Sequence, residues 1–449
     1  MRGKYDSMNA LVLGAGASGE AAARLLLARG GRALVADEGD ASSRIEVAER
    51  LRAAGGEIVF GGDALPQGSF DICVTSPGVA LGHPWIAECR QRGIQIISEL
   101  ELGGYYWQKH ILAVTGSKGK SSLVKLCADT LNGAGVAALP AGNYGTPLCQ
   151  LVLDNPELEW AVVEVSSFQM EHTRAFNPDI AILLNLQADH LDRHADMAEY
   201  KALKLKMFST MRPGTLALLP VDFADDGAVP DGVELQRFGT ATDEADWAYA
   251  GHYVTGRANG AVSEIALRGS WFDNEILGAA AAAGTAALLR TGLGKTQIET
   301  GLAGFKPLPH RVQEIGVSGR GVRFVDDSKA TSLAATAAAL RMIRKPVRLI
   351  AGGLLKENDL ENIKELLTQS AKKVYCIGQC AEQMFRAWSG SVPCEVCGTL
   401  ECAVTSSVRE SQAGETVLLS PGTASFDQFE SYQERGRRFV ELVRAVADL

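Results

Sequence analysis

A short glycine-rich stretch between an apolar run and a helix-like run carries the strongest chemical signal of the chain. It reads TGSKGKSS from Thr115 to Ser122, after ILAV and before LVKLCADTL. Backbone N–H groups at a helix start bind phosphate oxygens, and Lys120 can place its charge on them. The Ser121 hydroxyl can join the coordination shell of Mg²⁺. We therefore predict a phosphate-binding loop, although the usual pattern has about four residues between its glycines and this stretch has two.

A second glycine pattern, GAGASG from Gly14 to Gly19, lies between a strand-like run and a helix-like run, and Asp37 ends the next strand-like run. Glycines at these positions permit a tight turn and a close approach of backbone to a diphosphate, and the acidic residue can accept from a ribose hydroxyl. A nicotinamide dinucleotide and a UDP group fit this pattern equally well. Close packing of helix on strand is the alternative that needs no ligand.

Three ionisable residues, Glu164, Asp189 and His190, lie within or just after apolar strand-like runs in the middle of the chain. Glu164 stands within the apolar run WAVVEVSSF, where an unpaired carboxylate is costly to bury. A cation should therefore lie beside it: Mg²⁺, or an Arg or Lys partner. Asp189 and His190, in QADHLDRH, follow the apolar run AILLNL. Ligands of open α/β sheets bind at such strand ends, which makes His190 a candidate ligand as well as a solvated loop residue.

A helix is predicted for ADMAEYKALKLKMF, with Asp196 and Glu199 forming a capping box at its start. Lys204 falls within the apolar arc of this helix, together with Tyr200 and Met207. Such a lysine either extends its ammonium group to water or functions as a neutral amine, because desolvation disfavours the charged form. A neutral amine can react with CO2, and the resulting carbamate would be an anionic ligand for a metal.

The last part of the chain adds the polar motifs PHR, DDSKATS, GGLLK and SPGTASFDQF at or near strand ends. Each could be a solvated loop, but together they predict a second polar site that faces the phosphate-binding loop.

The elements that position these residues alternate between strand-like and helix-like patterns in three segments, which is typical of doubly wound α/β domains. The length of 449 residues agrees with roughly three domains. A formal charge of -9 argues against nonspecific nucleic-acid binding. No long apolar run or signal-peptide pattern is present, so we expect a cytoplasmic protein. The nine cysteines are then expected to be reduced thiols; the five between Cys376 and Cys402 have spacings that also allow zinc.

In their order, the motifs resemble those of the Mur ligases, the ATP-dependent amino-acid ligases of peptidoglycan synthesis. The resemblance extends over almost the whole chain: GAGASG, SPG, TGSKGKSS, GNYG, EVSSFQ, NLQADHLDRH, YKALK, LPHR, DDSKAT, GG with Lys356, and LLSPGTASFDQFESYQERG. The first and last motifs are most similar to those of the D-glutamate-adding branch.

The resemblance implies an α/β fold of three domains. These are a Rossmann-like UDP-sugar-binding domain (residues 1–106), a central P-loop-type ATP-binding domain with a parallel sheet (107–306), and a Rossmann-like amino-acid-binding domain (307–449). The implied reaction is an ADP-forming ligation in cell-wall biogenesis, and hence in cell shape and division. ATP phosphorylates the carboxylate of UDP-N-acetylmuramoyl-L-alanine, and the amine of D-glutamate attacks the acyl phosphate. We expect a monomer without nucleic-acid or membrane partners.

The resemblance also assigns residues, position by position. The implied ATP contacts are Gly116, Ser117, Lys118, Gly119, Lys120, Ser121, Ser122, Arg311 and Asp327. The implied UDP-sugar contacts are Gly14, Gly16, Ser18, Gly19, Asp37, Ser76, Gly78 and Asn143. Around D-glutamate the implied residues are Lys329, Thr331, Lys356, Ser425 and Tyr432. Two Mg²⁺ ions are implied, one on Ser121 and Glu164 and one on His190 and a carbamylated Lys204; the implied catalytic residues are Lys120, Glu164, His190 and Lys204.

The sequence departs from the family pattern at three places, one of which is the GGLLK loop, where the family's frequent acidic residue after the glycines is absent. The usual TGTNGK reads TGSKGK, which adds the charge of Lys118 beside the phosphates. A GxHNxxN pattern that contacts the nucleotide base is replaced by GSWFDNEILG, with Phe272, Asp273 and Ile276 in the approximate places. We therefore carry over the phosphate and metal positions but no adenine contact from this segment.

Four other functions stay open at this stage. An NAD-dependent dehydrogenase would explain Gly14 to Gly19 with Asp37, but not the phosphate-binding loop, Glu164 or Lys204. A non-catalytic UDP-sugar-binding protein would explain the lost base-binding pattern. Another Mur-type ligase, or a folylpolyglutamate synthase, would share the later domains. The sequence alone does not identify the amino acid that is added.

Overall fold

In the described residues the strands form three sheets, two in the unit Met1–Phe305 and one in the unit Lys306–Leu449. The structure is a computed structural model that describes residues 3–62, 64–155, 157–187, 193–225, 227–240, 245–258, 261–267, 275–343, 346–355 and 360–447. Helices accompany each sheet, in agreement with the predicted three-domain α/β class. The boundaries at residues 106 and 306 stay a prediction, because the division by contacts joins the first two sheets in one unit.

The first sheet is parallel, with the strand order β3-β2-β1-β4-β5. Its elements are β1 (Asn9–Leu13), α1 (Ala17–Ala28), β2 (Arg32–Asp37), α2 (Ile45–Ala53), β3 (Glu57–Phe60), β4 (Ile72–Thr75), α3 (Pro84–Gln91), β5 (Gln95–Ser98) and α4 (Glu99–Tyr106). Strand β1 has β2 on one side and β4 on the other, so the strand order reverses there. Ligands of open α/β sheets bind at such a switch point, and the loop from Gly14 to Gly19 follows β1.

The second sheet has the order β14-β13-β12-β11-β10-β9-β6-β8-β7. Its elements begin with β6 (His110–Thr115), α5 (Lys120–Gly133), β7 (Ala138–Gly142), α6 (Leu148–Asp154), β8 (Trp160–Glu164), α7 (Ser167–Glu171), β9 (Ile180–Leu183) and α8 (Met197–Leu205). They continue with β10 (Leu216–Pro220), β11 (Glu234–Thr240), β12 (Trp247–Ala250), β13 (Tyr253–Ala258), β14 (Ala261–Ala266), α9 (Glu275–Arg290) and α10 (Lys295–Gly304). Strand β6 lies between β8 and β9, so Thr115, Glu164 and Leu183 end three adjacent parallel strands at one edge.

The prediction of a parallel central sheet is wrong at one end. Strands β12, β13 and β14 pair antiparallel, whereas the other strand pairs of this sheet are parallel. Only Gly251 and His252 separate β12 from β13. A link this short can join antiparallel neighbours only, since a parallel crossover needs a dozen or more residues.

Helix α9 holds the second sheet's core against α5. The alanines of the run GAAAAAGTAALL pack as predicted, with Ala281, Ala282 and Ala283 fully buried. A Cβ atom on Gly284 would come within 2.8 Å of the Leu123 side chain in α5, so the two helices approach closely at this glycine. This packing fixes the helix that follows the phosphate-binding loop.

The third sheet has the order β15-β16-β20-β17-β18-β19 and is parallel except for β15. Its elements are β15 (Gln313–Val317), β16 (Arg323–Asp326), α11 (Leu333–Met342), β17 (Val347–Gly352), α12 (Lys364–Ser370), β18 (Ala371–Ile377), α13 (Ala381–Trp388), β19 (Cys394–Gly398), α14 (Leu400–Glu410), β20 (Thr416–Leu419) and α15 (Tyr432–Val446). Across the described part of all three sheets, none of the helices has the length and apolar composition needed to cross a bilayer.

Candidate active site

The phosphate loop (residues 116–119) joins β6 to α5 by a sharp turn that two glycines make possible. Gly116 has φ +144° and Gly119 has φ +85°, conformations that strain a residue with a side chain. Gly119 is also the residue that caps the start of α5. The shortness of this loop thus depends on two glycines with positive φ.

Asn185, which follows β9, holds the phosphate loop in place. Its Oδ1 accepts from the N–H groups of Ser117 at 3.1 Å and Lys118 at 2.9 Å, and its Nδ2 donates to Lys118 O at 3.0 Å. Sequence reasoning gave Asn185 no role, although it stands in the quoted motif NLQADHLDRH directly after a strand. Because these two N–H groups are engaged, the loop offers phosphate the N–H groups of the α5 first turn, which have no acceptor inside the helix.

Two of the side chains expected at ATP, those of Ser117 and Lys120, have contacts with backbone carbonyls. The Ser117 hydroxyl donates to Gln187 O at 2.9 Å, and Lys120 Nζ donates to Ser117 O at 3.1 Å. Ser121, at the start of α5, is buried, with 5% of its surface exposed. Lys120 and Ser121 therefore lie at the helix start, where the sequence placed them.

Glu164, at the end of β8, is buried with one carboxylate oxygen unpaired. Its Oε1 accepts from Asn143 Nδ2 at 2.6 Å, whereas Oε2 has no hydrogen-bond partner among the described residues. Among the described ion pairs, none includes Glu164, so the alternative of an Arg or Lys partner finds no support there. A buried, half-satisfied carboxylate is what a hard cation requires, and the residues present therefore fit Mg²⁺. Asn143, expected at the UDP-sugar, contacts Glu164, and its predicted contact with the UDP-sugar stays a prediction.

Lys204 in α8 is buried, so its ammonium group does not extend to water, and it reaches the phosphate loop. It is 2% exposed, its Nζ donates to Gly116 O at 2.9 Å, and it lies 4.4 Å from the centre of the Tyr200 ring. Asp196 caps the helix by accepting from the Glu199 N–H at 2.8 Å. The helix ends at Leu205, so Met207 packs from a turn beyond it rather than from the predicted helical arc.

Asp189 and His190 lie outside the described residues, as do Lys356, Phe272 and Asp273; the side chain of Ile276 is not described either. The described chain on either side of residues 188–192 is anchored. Gln187 N donates to Ser117 Oγ at 2.9 Å, and His194 Nε2 is 2.9 Å from Ser167 Oγ.

The first glycine loop (residues 14–19) borders a cavity of about 470 Å³. Gly14 has φ +91°, and a Cβ atom on Gly19 would lie 1.8 Å from Gly14 O, so neither position accepts a side chain. Asp37 fixes the loop, since its Oδ2 accepts from the Ala15 N–H at 2.6 Å and its Oδ1 from the Gly39 N–H at 2.8 Å. The Ser76 hydroxyl donates to Gly14 O at 3.3 Å.

Six of the eight residues predicted at the UDP-sugar line this cavity: Gly14, Gly16, Ser18, Asp37, Ser76 and Gly78. Gly19 acts through close packing, and Asn143 does not line it. Sequence reasoning missed Arg44, His83 and Trp85, which also line the cavity. Arg44 adds a cation to a cavity that already contains a helix start, and both features favour an anionic ligand. No local sequence signal identifies these three residues, because they reach the cavity from two other segments, the start of α2 and the start of α3.

In the unit Lys306–Leu449, Arg311 stands between two residues with positive φ, His310 at +62° and Val312 at +46°. Asp327 holds this turn: its Oδ1 accepts from the Val312 N–H at 3.1 Å and its Oδ2 from the Ser420 hydroxyl at 2.8 Å. Burial raises the pKa of Asp327 to about 7, against the opposing effect of these hydrogen bonds. His310 Nδ1 lies 2.6 Å from Asp326 Oδ2. Arg311 and Asp327, the implied ATP contacts of this unit, are thus joined through one turn.

Two of the residues implied around D-glutamate meet: Lys329 Nζ lies 4.1 Å from the centre of the Tyr432 ring. Ser425 is buried and Thr331 is half-buried. Arg435, which sequence reasoning missed, is 1% exposed and binds the loops that carry Lys329 and Ser425.

The Arg435 guanidinium donates to Ser328 Oγ, Ser328 O, Thr423 O and Ala424 O. Burial lowers its pKa to about 10. Its signal in the sequence is a basic residue on the apolar face of YQERGRRFVELV, with Phe439 and Val443.

All nine cysteines are free thiols. Glu395, Cys397 and Cys402 place their ligand atoms within 4.8 Å of one another, but Glu395 also pairs with Lys373 at 2.6 Å.

The parallel strands of the first two sheets, the phosphate loop followed by Lys120, and the buried carboxylate of Glu164 are typical of α/β enzymes that bind a nucleotide through a loop at a helix start. Comparison with known families gives three consecutive matches. Residues 8–98 match the model described as Mur ligase MurD-like, N-terminal domain; residues 114–277 match the Mur ligase middle domain; residues 310–422 match the Mur ligase, glutamate ligase domain.

Relatives that match over nearly their full length support the same family. The chain is 35% identical over 445 residues to the UDP-N-acetylmuramoylalanine--D-glutamate ligase of Nitratidesulfovibrio vulgaris (strain DP4), which covers 98% of this chain and 96% of the relative. It is 37% identical to the protein of the same name from Rubrobacter xylanophilus, covering 96% and 97%. The MurF ligase of Thermotoga maritima, solved in complex with ADP, shares the fold with a TM-score of 0.61 at 17% identity, covering 93% of this chain and 95% of that one. The chain therefore belongs to the Mur ligase family.

Proposed function

We propose that the chain catalyses the ATP-dependent addition of D-glutamate to UDP-N-acetylmuramoyl-L-alanine, a step of peptidoglycan precursor synthesis. The observation that carries the proposal is the combination, within one unit, of a cavity suited to a diphosphate group and a phosphate loop beside a buried, half-satisfied carboxylate. Relatives that match over nearly the full chain and carry the corresponding name support the choice of substrates.

The proposed reaction has two steps that balance. A carboxylate oxygen of the L-alanyl group attacks the γ-phosphorus of ATP, forming an acyl phosphate and releasing ADP. The neutral amine of D-glutamate then attacks the acyl carbon, and phosphate leaves with that carboxylate oxygen while the nitrogen loses its proton. The chain must orient both attacks and keep water from the acyl phosphate.

The phosphate loop positions the first step. The first-turn N–H groups of α5 and the Lys120 ammonium would bind the β- and γ-phosphate oxygens, where negative charge concentrates. Ser121 and Glu164 Oε2 would hold one Mg²⁺, and His190 and a carbamylated Lys204 would hold a second. The Mg²⁺ held by these residues would neutralise negative charge on the phosphates.

Carbamylation of Lys204 is supported by its place in the structure. Its Nζ is buried and lies against the phosphate loop, with Gly116 O as acceptor at 2.9 Å. Reaction of the neutral amine with CO2 would release one proton and leave an anionic oxygen pair close to that loop. The same burial suits an unmodified lysine that braces the loop through Gly116 O, so the modification needs its own test.

In the unit Lys306–Leu449, we propose that Lys329, Thr331, Lys356, Ser425 and Tyr432 bind D-glutamate and that Arg311 and Asp327 contact ATP. D-glutamate has two carboxylates, which need fixed cationic or hydroxyl donors. We expect the reaction to take place in the cytoplasm, where ATP and UDP-linked precursors are available, and the chain to act as a monomer, which sedimentation analysis would check.

The test is phosphate release with ATP, Mg²⁺ and UDP-N-acetylmuramoyl-L-alanine across a panel of L- and D-amino acids, with mass spectrometry of the product. The proposal expects release with D-glutamate and a product heavier by one glutamyl residue. Release with a different amino acid would reassign the acceptor, and no release with any amino acid would contradict the proposed activity.

A further inference from the structure

Arg193 joins the second sheet's domain to the cavity of the first. Its Nη1 donates to Pro77 O at 3.0 Å, and its Nη2 donates to Val79 O at 3.0 Å. On the other side, its Nε donates to Glu171 Oε1 at 3.1 Å and its Nη2 to Glu171 Oε2 at 2.7 Å. Each nitrogen of the guanidinium thus has an acceptor. Two of the acceptors are backbone carbonyl oxygens of the first domain.

The anchor on the second domain is rigid. The Glu171 side chain, at the end of α7, is 2% exposed, and that of Arg193 is 17% exposed. The guanidinium carbon also lies 4.1 Å from the centre of the Phe168 ring. A two-point pair with a carboxylate fixes the plane of the guanidinium, and lysine has no matching geometry. Contacts with α7 therefore set the orientation in which the Arg193 guanidinium donates to the backbone of the first domain.

The two carbonyl groups that accept from Arg193, those of Pro77 and Val79, belong to the loop of residues 76–79. This loop lines the cavity beside the first glycine loop. A trans peptide is planar, so its C=O and N–H groups point in opposite directions, and the described chain has no cis peptide bond. Holding Pro77 O toward Arg193 therefore directs the N–H of Gly78 to the opposite side. Gly78 lines the cavity, and its N–H is a donor that a diphosphate or sugar oxygen can use.

Arg193 also follows His190 by only three residues in the chain. Its neighbour His194 is held on α7 through Ser167 Oγ at 2.9 Å. The described residues that follow His190 in the chain are thus tied to the first domain through Arg193 and to the second through α7.

We propose that Arg193 is a positioning residue for the UDP-linked substrate, which fixes the loop of residues 76–79 from the neighbouring domain. This proposal rests on the proposed function, since that function places the UDP-sugar in the cavity. An ion pair that serves stability only would give the same contacts, so the test must separate substrate binding from folding.

The test compares Arg193→Ala and Arg193→Lys with a matched control, Arg237→Ala. Arg237 is also partly buried, donates to two backbone carbonyls, Pro220 O and Phe223 O, and pairs with Asp225 at 3.2 Å, but it does not line the cavity. Loss of two charged hydrogen bonds to the loop should raise the KM for the UDP-linked substrate about tenfold in Arg193→Ala, with smaller changes for ATP and D-glutamate. Arg193→Lys should fall between it and the wild type, and Arg237→Ala should keep all three KM values.

An unchanged KM for the UDP-linked substrate in Arg193→Ala, or an equal rise for all three substrates, would overturn the proposal. If Arg193→Ala fails to fold, Glu171→Gln weakens the same anchor with little change of shape, and a selective rise in the same KM is again required. Calorimetry with the UDP-linked substrate alone separates the two proposals. A wild-type chain that binds it but forms no amide contradicts the function, whereas unchanged affinity in the Arg193 variants contradicts the role of Arg193.

Discussion

The first glycine loop and the phosphate loop have the same local design and differ in the side chain that fixes them. Each follows a central parallel strand at a switch point and precedes a helix. Asp37, a carboxylate, accepts from the N–H of Ala15 in the first loop. Asn185, a neutral amide, accepts from two N–H groups of the phosphate loop and also donates to its backbone.

This difference fits what each loop is proposed to bind. A carboxylate adds negative charge, which suits the hydroxyl groups of a ribose but repels phosphate. An amide fixes the phosphate loop without that charge, and Lys118 and Lys120 add positive charge beside it, whereas the cavity of the first loop contains both Asp37 and the cation Arg44. Under the proposed function, the same kind of backbone turn would hold an intact diphosphate in one domain and bind a reacting triphosphate in the other.

The largest effect should come from Lys120→Ala. Loss of the cation that faces the transferred phosphate should lower kcat by roughly 10³-fold, as for other residues that stabilise transition-state charge. Binding of the UDP-linked substrate, measured by calorimetry, should not change, because that substrate uses the other loop. If Lys120→Ala weakened binding of the UDP-linked substrate as strongly as it lowers kcat, the two loops would not have separate functions.

Lys204→Ala should lower phosphate release at least about a hundredfold, because the residue contacts the phosphate loop and is expected to hold metal. Added short carboxylates should restore part of the activity if a carbamate is the functional group. Lys204→Arg, which keeps a cation but cannot be carbamylated, is the matched control and should stay inactive. Wild-type turnover in Lys204→Ala would remove the carbamate from the account.

Glu164→Gln should lower turnover by roughly 10²-fold while making the Mg²⁺-free protein more stable by about 1 kcal/mol. The wild type buries an unpaired carboxylate oxygen, and the amide removes that charge but keeps the contact with Asn143. Thermal unfolding in EDTA checks the stability, and a Mg²⁺ titration of activity checks the role. A decrease in stability without metal would show that the carboxylate is satisfied by another group.

Replacing Asn185 by aspartate, and Asp37 by asparagine, tests whether the charge of the side chain that holds each loop determines what the loop binds. Asn185→Asp places a negative charge beside the phosphates and should raise the KM for ATP about tenfold. Asp37→Asn keeps one acceptor and loses one N–H bond, so the affinity for the UDP-linked substrate should fall by only about fivefold. If Asn185→Asp leaves the KM for ATP unchanged, the charge of the fixing residue does not distinguish the loops.

The smallest effect on turnover is expected for Glu99→Gln, a buried acid outside both loops. Burial raises the pKa of Glu99 from 4.5 to about 7, and its Oε2 has no hydrogen-bond partner in the described part of the chain. The native state then keeps a proton that the unfolded state releases, so the contribution of Glu99 to stability is present below pH 4.5 and is lost as pH rises to about 7. Glu99→Gln should flatten this slope in unfolding midpoints between pH 5 and 8, with turnover within about twofold. If the pH dependence of the unfolding midpoint is the same in Glu99→Gln as in the wild type, groups other than Glu99 cause it.

The sequence predicted the features that arise from local pattern. Glycines between strand and helix, Glu164 at the end of an apolar strand and Lys204 on an apolar helix face all lie where expected, because burial and turn geometry depend on near neighbours. Asn185, Arg193 and Arg435 were missed, because their partners are backbone groups of loops distant in sequence. The antiparallel end of the second sheet did have a signal, the two-residue link at Gly251 and His252, which was not used.

The most direct test of the account follows one oxygen atom. UDP-N-acetylmuramoyl-L-alanine labelled with ¹⁸O in both oxygens of its alanyl carboxylate is ligated to D-glutamate with ATP, and the released phosphate is analysed by mass spectrometry. Transfer of phosphate to that carboxylate predicts one ¹⁸O atom in each phosphate released, with Lys120→Ala as the control that stops both release and labelling. Phosphate without the label, formed at the wild-type rate, would mean that water and not the substrate carboxylate attacks ATP, and would contradict the account.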